Sequence, residues 1–177
     1  RFFDDLPATA FALTNTDDRN GTVMLQNTQA VRYTYALKKA ADFKAKIIEN
    51  SLEGLHLELD GTELHARMIG EFNAYNLTAA YAVAMLLDAR SSKSPRPGRP
   101  EILAALSNLQ GAEGRFDYVN HPSKQGCIGI VDYAHTPDAL EKVLETIAKL
   151  KKKNSRVITV TGAGGDRDKT KRPVMAQ

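Results

Sequence analysis

Four groups of residues in this 177-residue chain have the types and spacing to do chemistry. Asn73 and Asn76 stand three apart in GEFNAYNLTAA (70–80), where a helix begins, so their amides point the same way. A side-chain amide offers a donor and an acceptor, which matches an adenine edge. An asparagine in that place also suits a helix N-cap, and the spacing allows both. Asp132, Tyr133 and His135 lie in VDYAHTPDALE (131–141), where a strand ends and a helix starts. Ligands of open α/β sheets bind at such carboxyl ends. An aspartate there can accept two hydrogen bonds from a ribose and a histidine can face a phosphate, while turn and cap roles fit the same spacing. Arg115 stands between Gly114 and Phe116. Its planar fork suits a phosphate, and a solvated arginine fits equally well. The fourth group is GAGGDRDKTKRP (162–173), glycines running into alternating charges after the apolar VITVT.

That last stretch is not a phosphate loop. Counting from Gly162, the sixth residue is Arg167, where both GxxxxGK[ST] and GxGxxG require glycine. What remains is a turn presenting Arg167, Lys169, Lys171 and Arg172 beside Asp166 and Asp168. Mixed charges of this kind suit a carboxylate-bearing or zwitterionic small molecule, or a salt-bridged surface loop.

The elements that position these groups follow from pattern. AFALTN (10–15) reads as a short buried strand, TDDRNG as a loop, and VRYTYAL as a second strand. GLHLELDGTELHARMIG is a hairpin turning on Asp60-Gly61. A two-residue turn pairs Leu57 with Leu64 and Leu55 with Ala66 on one face, His56 with His65 and Glu58 with Glu63 on the other. Two histidines and two glutamates could ligate a metal. Exposed like charges cost only about tenths of a kcal/mol across a strand pair, so a solvated face is expected and no metal site is assigned.

From 73 to 89 the chain reads as a helix with Leu77, Ala80, Tyr81, Ala84 and Leu87 on one stripe, and from 101 to 109 as a shorter one with Ile102, Leu106 and Leu109 in phase. Between them RSSKSPRPGRP (90–100) is expected to be a flexible, disordered linker. GAEG (111–114) is the expected boundary between a domain at 1–110 and one at 111–177. Beyond it, RFDYVN and GCIGIVDY read as strands and RVITVTG as another. PDALEKVLETIAKLKKK reads as an amphipathic helix capped by Thr136, with Pro137 in its first turn and lysines at its C-terminus. Strand, helix, strand is a βαβ unit, so a parallel, helix-covered sheet begins here.

Composition narrows the function classes. The +3 charge resides in the 90–100 segment, whose four basic residues, once set aside, leave 20 basic against 21 acidic. Without a basic stripe, nucleic-acid binding is not expected. No apolar run reaches the length of a membrane span, and Cys127 alone excludes a disulfide framework. A cytoplasmic protein with no membrane partner is expected.

In order along the chain, FALTNTDD, GEFNAYNLTAA, GRFDYV, VDYAHTPDALE and GAGGDRDKTKRPVMA resemble the Mur ligase family. The resemblance covers nearly everything outside 90–100, and DYAHTPDALE followed by GGDRDxxKRP is its most specific part. It implies an α/β fold: the second half of a central ATPase domain, three-layered with a small β-hairpin sheet, then the first βαβ part of a Rossmann-like C-terminal domain that binds the amino acid. The implied activity is ATP-dependent amide-bond formation through an acyl phosphate, adding meso-diaminopimelate to UDP-MurNAc-L-Ala-D-Glu in peptidoglycan synthesis. L-lysine is the alternative amino acid, and a non-catalytic nucleotide-binding module the alternative role. By this resemblance Asn73 and Asn76 contact adenine, Asp132 the ribose, Arg115, Tyr133 and His135 surround ribose and phosphates, and Arg167 holds a carboxylate of the diamino acid. ATP and Mg2+ are the implied cofactors, with the Mg2+ ligands and the Gly-rich phosphate loop expected outside these 177 residues. The segment by itself is therefore expected to be inactive.

Overall fold

The computed structural model describes residues 2–92, 94–120, 127–162, 164, 168 and 170–176. The chain divides into two compact units, Arg1–Gln110 and Gly111–Gln177.

In the first unit, β1 (Phe11–Asn15) leads through α1 (Gly21–Met24) to β2 (Val31–Ala36), then β3 (Phe43–Ser51), β4 (Gly54–Leu59), β5 (Thr62–Ala66), α2 (Glu71–Arg90) and α3 (Gly98–Ser107). The five strands lie in sequence order. β1, β2 and the start of β3 run parallel, while the rest of β3 pairs antiparallel with β4, and β4 with β5. β3 thus joins the parallel strands to a small antiparallel hairpin sheet, and its register shifts between Ile47 and Glu49. Such a shift bends a strand and raises its twist, which lets one strand serve both layers.

The hairpin forms in the register its turn residues dictate. Asp60 and Gly61 both take positive φ, 46° and 79°, the geometry that matches strand twist across a two-residue loop. His56 then faces His65, Leu57 faces Leu64, and Glu58 faces Glu63. Leu55, Leu57, Leu59, Leu64 and Ala66 go inward, where they meet Ala74, Leu77 and Tyr81 of α2 and Ile102, Leu103 and Leu106 of α3.

α2 buries a different face from the stripe read in the sequence. Leu77 and Tyr81 are buried, but Ala80 and Leu87 are exposed, and Asn73, Ala74, Thr78, Ala82 and Leu86 line the packed side. The helix touches β2, β3 and β4 and also α3, so its contact face is wider than one stripe. Thr78 is tolerated there because its hydroxyl donates to the Ala74 carbonyl at 2.6 Å.

The linker expected at 90–100 is shorter than that. Arg90 ends α2, held by a 2.8 Å hydrogen bond to the Thr9 carbonyl and by its cation over the Phe11 ring. Gly98, Arg99 and Pro100 form the first turn of α3, and Arg99 donates to the Asp60 carbonyl. Lys93 lies outside the described residues. Ile102 and Leu106 are buried as read, whereas Leu109 falls past the end of α3 and is exposed.

The second unit holds an antiparallel pair, β6 (Asp117–Asn120) with β7 (Ile128–Val131), then α4 (Pro137–Leu150) and α5 (Lys171–Met175). Thr136 caps α4, its hydroxyl accepting from the Ala139 amide at 3.3 Å, with Pro137 in the first turn. Leu140, Val143, Leu144, Ile147 and Leu150 form its half-buried face. The strand read at RVITVTG does not form: residues 156–162 carry no ladder, and Ile158 and Val160 are 71% and 93% exposed. A parallel strand exists only by pairing, and among the described residues no neighbour supplies that edge. No helix among the described residues is long and apolar enough to cross a membrane.

Candidate functional site

At the carboxyl end of β7 the chain brings four of the sequence-predicted residues together. Asp132 follows the last β7 residue and is fixed by two short bonds. One carboxylate oxygen accepts from the Phe116 amide and the other from the Ala134 amide, both at 2.7 Å. The first bond ties the segment before β6 to the end of β7. It holds Phe116 in the left-handed region, at φ 49°, a conformation unusual for a bulky residue. Arg115 is thereby set beside Tyr133, its guanidinium 5.0 Å from the ring centroid. The Tyr133 ring in turn lies 5.0 Å from that of His135, whose Nδ1 meets the Tyr133 carbonyl at 2.9 Å.

This yields an exposed row of Arg115, Tyr133 and His135 with a part-buried carboxylate behind it. Arg115 has no carboxylate partner among the described residues, so its planar fork remains available to an anion. Asp132 uses one acceptor direction on each oxygen internally and retains others, since a carboxylate has about four such sites. Replacing Asp132 with alanine should destabilise the second unit by about 2 kcal/mol, because two charge-assisted bonds to backbone amides go. Asp132→Asn, which keeps an accepting oxygen, should lose less. Urea unfolding midpoints of the two variants check this.

Asn73 and Asn76 lie in the first unit, in the opening turns of α2. Gly70, not Asn73, is the N-cap, with φ 98°. Asn73 is buried at 6% exposure, donates to the Ile69 carbonyl at 2.8 Å, and accepts at 3.1 Å from the Asn76 amide. Asn76 is the exposed member of the pair, held in orientation by Asn73.

The sequence reading missed what holds this helix start. Asp17 accepts from the backbone amides of Leu37, Lys38 and Lys39 at 2.8–2.9 Å, and from the Tyr75 hydroxyl at 2.9 Å. Lys38 in that loop bridges to Glu71, the first residue of α2, at 2.7 Å. One carboxylate thus ties the segment after β1, the loop after β2 and Tyr75 in the opening turns of α2. The available signal was an aspartate directly beyond a strand end, in TNTDD. Burial alone would raise the Asp17 pKa, but the backbone amides and Tyr75 outweigh it and hold the group at about 2. Tyr75 is pushed up, first by burial and then by its bond to Asp17. A depressed carboxylate pKa contributes stability above the unfolded value of about 4 that is lost as pH falls towards about 2. Asp17→Asn should cost about 2 kcal/mol at neutral pH and flatten the stability profile across that acid window. Denaturant midpoints measured against pH would show it.

Arg167 lies outside the described residues, as do Asp166 and Lys169. Of the same charged turn, Asp168 is described. It accepts from the Thr170 hydroxyl at 2.6 Å and the Thr170 amide at 3.0 Å, which lowers its pKa, the hydroxyl contributing most.

Arg115, Tyr133 and His135 thus make a basic and aromatic row at the carboxyl end of β7, in a chain that mixes α-helices and β-sheets. Residues 1–84 match the Mur ligase middle domain, and residues 114–177 match the Mur ligase glutamate ligase domain. The chain belongs to the Mur ligase family. It is 51% identical over 176 residues to UDP-N-acetylmuramoyl-L-alanyl-D-glutamate--2,6-diaminopimelate ligase of Phocaeicola vulgatus, covering 99% of this chain and 34% of that protein. It is likewise 51% identical over 177 residues to the protein of the same name from Parabacteroides distasonis, covering 100% and 34%. A solved structure of a diaminopimelate ligase of this name superposes with a TM-score of 0.61 at 29% identity, over 94% of this chain and 34% of that one. The chain spans about a third of the length of the curated relatives it matches.

Proposed function

We propose that the protein carrying this chain is an ATP-dependent carbon–nitrogen ligase of the cytoplasm. It would join meso-diaminopimelate to UDP-MurNAc-L-Ala-D-Glu in peptidoglycan synthesis. The observation that carries the reading is the Arg115, Asp132, Tyr133 and His135 cluster beside β7, in a chain half identical to ligases named for that reaction. On this reading residues 1–110 belong to the central ATP-binding domain and residues 111–177 to the amino-acid-binding one.

The cluster's chemistry fits a nucleotide. Arg115 offers a bidentate cation to a phosphate, and stacking on Tyr133 limits the rotamer freedom it must lose. His135, whose Nδ1 is committed to the Tyr133 carbonyl, presents its other ring nitrogen along the same row. Asp132 has acceptor capacity left for ribose hydroxyls. In the first unit, taken by itself, Asn73 and Asn76 are assigned to an adenine edge, with Asn73 orienting the Asn76 amide. Arg167 is assigned a carboxylate of the incoming diamino acid.

ATP, with Mg2+, supplies a phosphoryl group to a substrate carboxylate. The amine of the amino acid then attacks that acyl phosphate, forming the amide and releasing phosphate. The chain's own contribution is to hold the nucleotide and the amino acid in register. With 18O in the reacting carboxylate, the full-length protein should release phosphate carrying one 18O atom. Unlabelled phosphate would rule out the acyl phosphate.

A further inference from the structure

We propose that His56, Glu63 and His65 form a binding site for a divalent transition-metal ion of the zinc class on the outer face of the β4–β5 hairpin. A solvated face was the expectation from sequence. The folded geometry is more specific than that. His56 and His65 pair directly across the two strands, and their imidazoles stack with centroids 3.9 Å apart and planes 19° from parallel. Glu63 lies two residues before His65, so it shares that face, and its Oε2 is 3.1 Å from His56 Nε2. One ligand atom from each of the three falls within 4.8 Å of the others. Ligand atoms of a tetrahedral zinc site are about 3.3 Å apart at zinc–nitrogen distances near 2.0–2.1 Å, so small ring rotations close the set.

Two imidazoles and a carboxylate suit zinc, copper, nickel or cobalt better than magnesium, which takes oxygen ligands. The site is thus chemically separate from any Mg2+ that accompanies ATP. Around the set, Glu49 opposite His56 and Glu58 opposite Glu63 are offset by Lys46 opposite Glu58 and by Arg67 two residues beyond His65. The charge that draws a cation is therefore the Glu63 carboxylate itself. The platform is rigid, because Leu55, Leu57 and Leu64 on the reverse face are locked in the core. Access is open: His56 and Glu63 side chains are 20% and 66% exposed, and all three ligands line a groove of about 660 Å3. A water would complete the fourth position of such a three-ligand site.

The test is a Co2+ titration of the full-length, nucleotide-free protein, followed by visible absorption, with Zn2+ as competitor. One Co2+ per chain should bind and be displaced by Zn2+. His56→Ala and His65→Ala should each weaken binding by about tenfold or more, since even outer-shell changes reach that size. The near-isosteric Glu63→Gln, which leaves the hairpin's packed face untouched, should weaken it too. Cys127→Ser, at the free and exposed thiol, should leave it unchanged. Absence of Co2+ uptake at saturating excess, or uptake that survives all three ligand substitutions, overturns the site. A merely structural role for the histidines would alter unfolding midpoints equally with and without Zn2+. A ligand role makes the Zn2+-induced shift disappear.

Discussion

Arg115→Ala is expected to lower kcat/KM for ATP-dependent ligation by about a hundredfold or more, the usual effect of removing a preorganised charge from a transferring phosphoryl group. The expectation rests on where the guanidinium sits. It is held over Tyr133 and has no carboxylate partner among the described residues, so its charge is not already spent on a neighbour. Arg115→Lys keeps the charge but loses the planar fork and the ring stacking, and should fall between alanine and wild type. Because the side chain is exposed, neither variant should change the unfolding free energy by more than about 0.5 kcal/mol. Steady-state kinetics with ATP varied, alongside urea unfolding, separates the two effects. Wild-type kinetics in both variants would remove Arg115 from the site.

Tyr81→Ala is the substitution expected to damage the fold most, by about 4 kcal/mol, the middle of the range for truncating a large buried aromatic. Tyr81 is completely buried, sits edge-to-face on Phe43 with centroids 6.1 Å apart, and packs in the cluster joining the hairpin, α2 and α3. For a unit of this size the midpoint should drop by roughly 15 °C. Leu87→Ala is the informative contrast. Helical spacing put Leu87 on the same stripe, yet the fold leaves it 57% exposed, so its change should stay within about 0.5 kcal/mol. Equal losses at the two positions would mean that α2 packs by its sequence stripe instead.

The contrast shows where the sequence was legible. Local chemistry carried the hairpin, because Asp60-Gly61 selects one turn and a turn of two residues leaves one register. It carried α4 as well, since Thr136 and Pro137 mark a helix start without outside help. Elements whose form depends on distant partners were not readable. β3 mixes Lys44 and Lys46 with a register shift at Ile47/Glu49, which blurs the period-two signal. α2 faces neighbours on more than one side, so no single stripe describes it. Residues 156–162 have strand composition, but pairing makes a strand and none forms there.

The site followed the same division. Asp132, Tyr133, His135 and Arg115 were singled out by residue type and position, and the fold gathers them through one carboxylate bonded to the Phe116 amide. Asp17 was not singled out. Its role exists only once the loop at 37–39 and Tyr75 on α2 converge on it. Spacing offers His56, His65, Glu58 and Glu63 as possible metal ligands but favours a solvated face, because it does not encode the rotamers that stack the two rings beside Glu63.

The most direct test of the account is product formation by the full-length protein given ATP, Mg2+ and UDP-MurNAc-L-Ala-D-Glu, with meso-diaminopimelate or L-lysine offered separately and the products weighed by mass spectrometry. The diaminopimelate-containing tripeptide is expected, with one phosphate released per amide formed. L-lysine, which lacks the second carboxylate assigned to Arg167, should react with kcat/KM lower by about a hundredfold or more, as when a site that binds a substrate polar group meets an analogue without it. Equal or better use of lysine, or phosphate release without tripeptide, would contradict it.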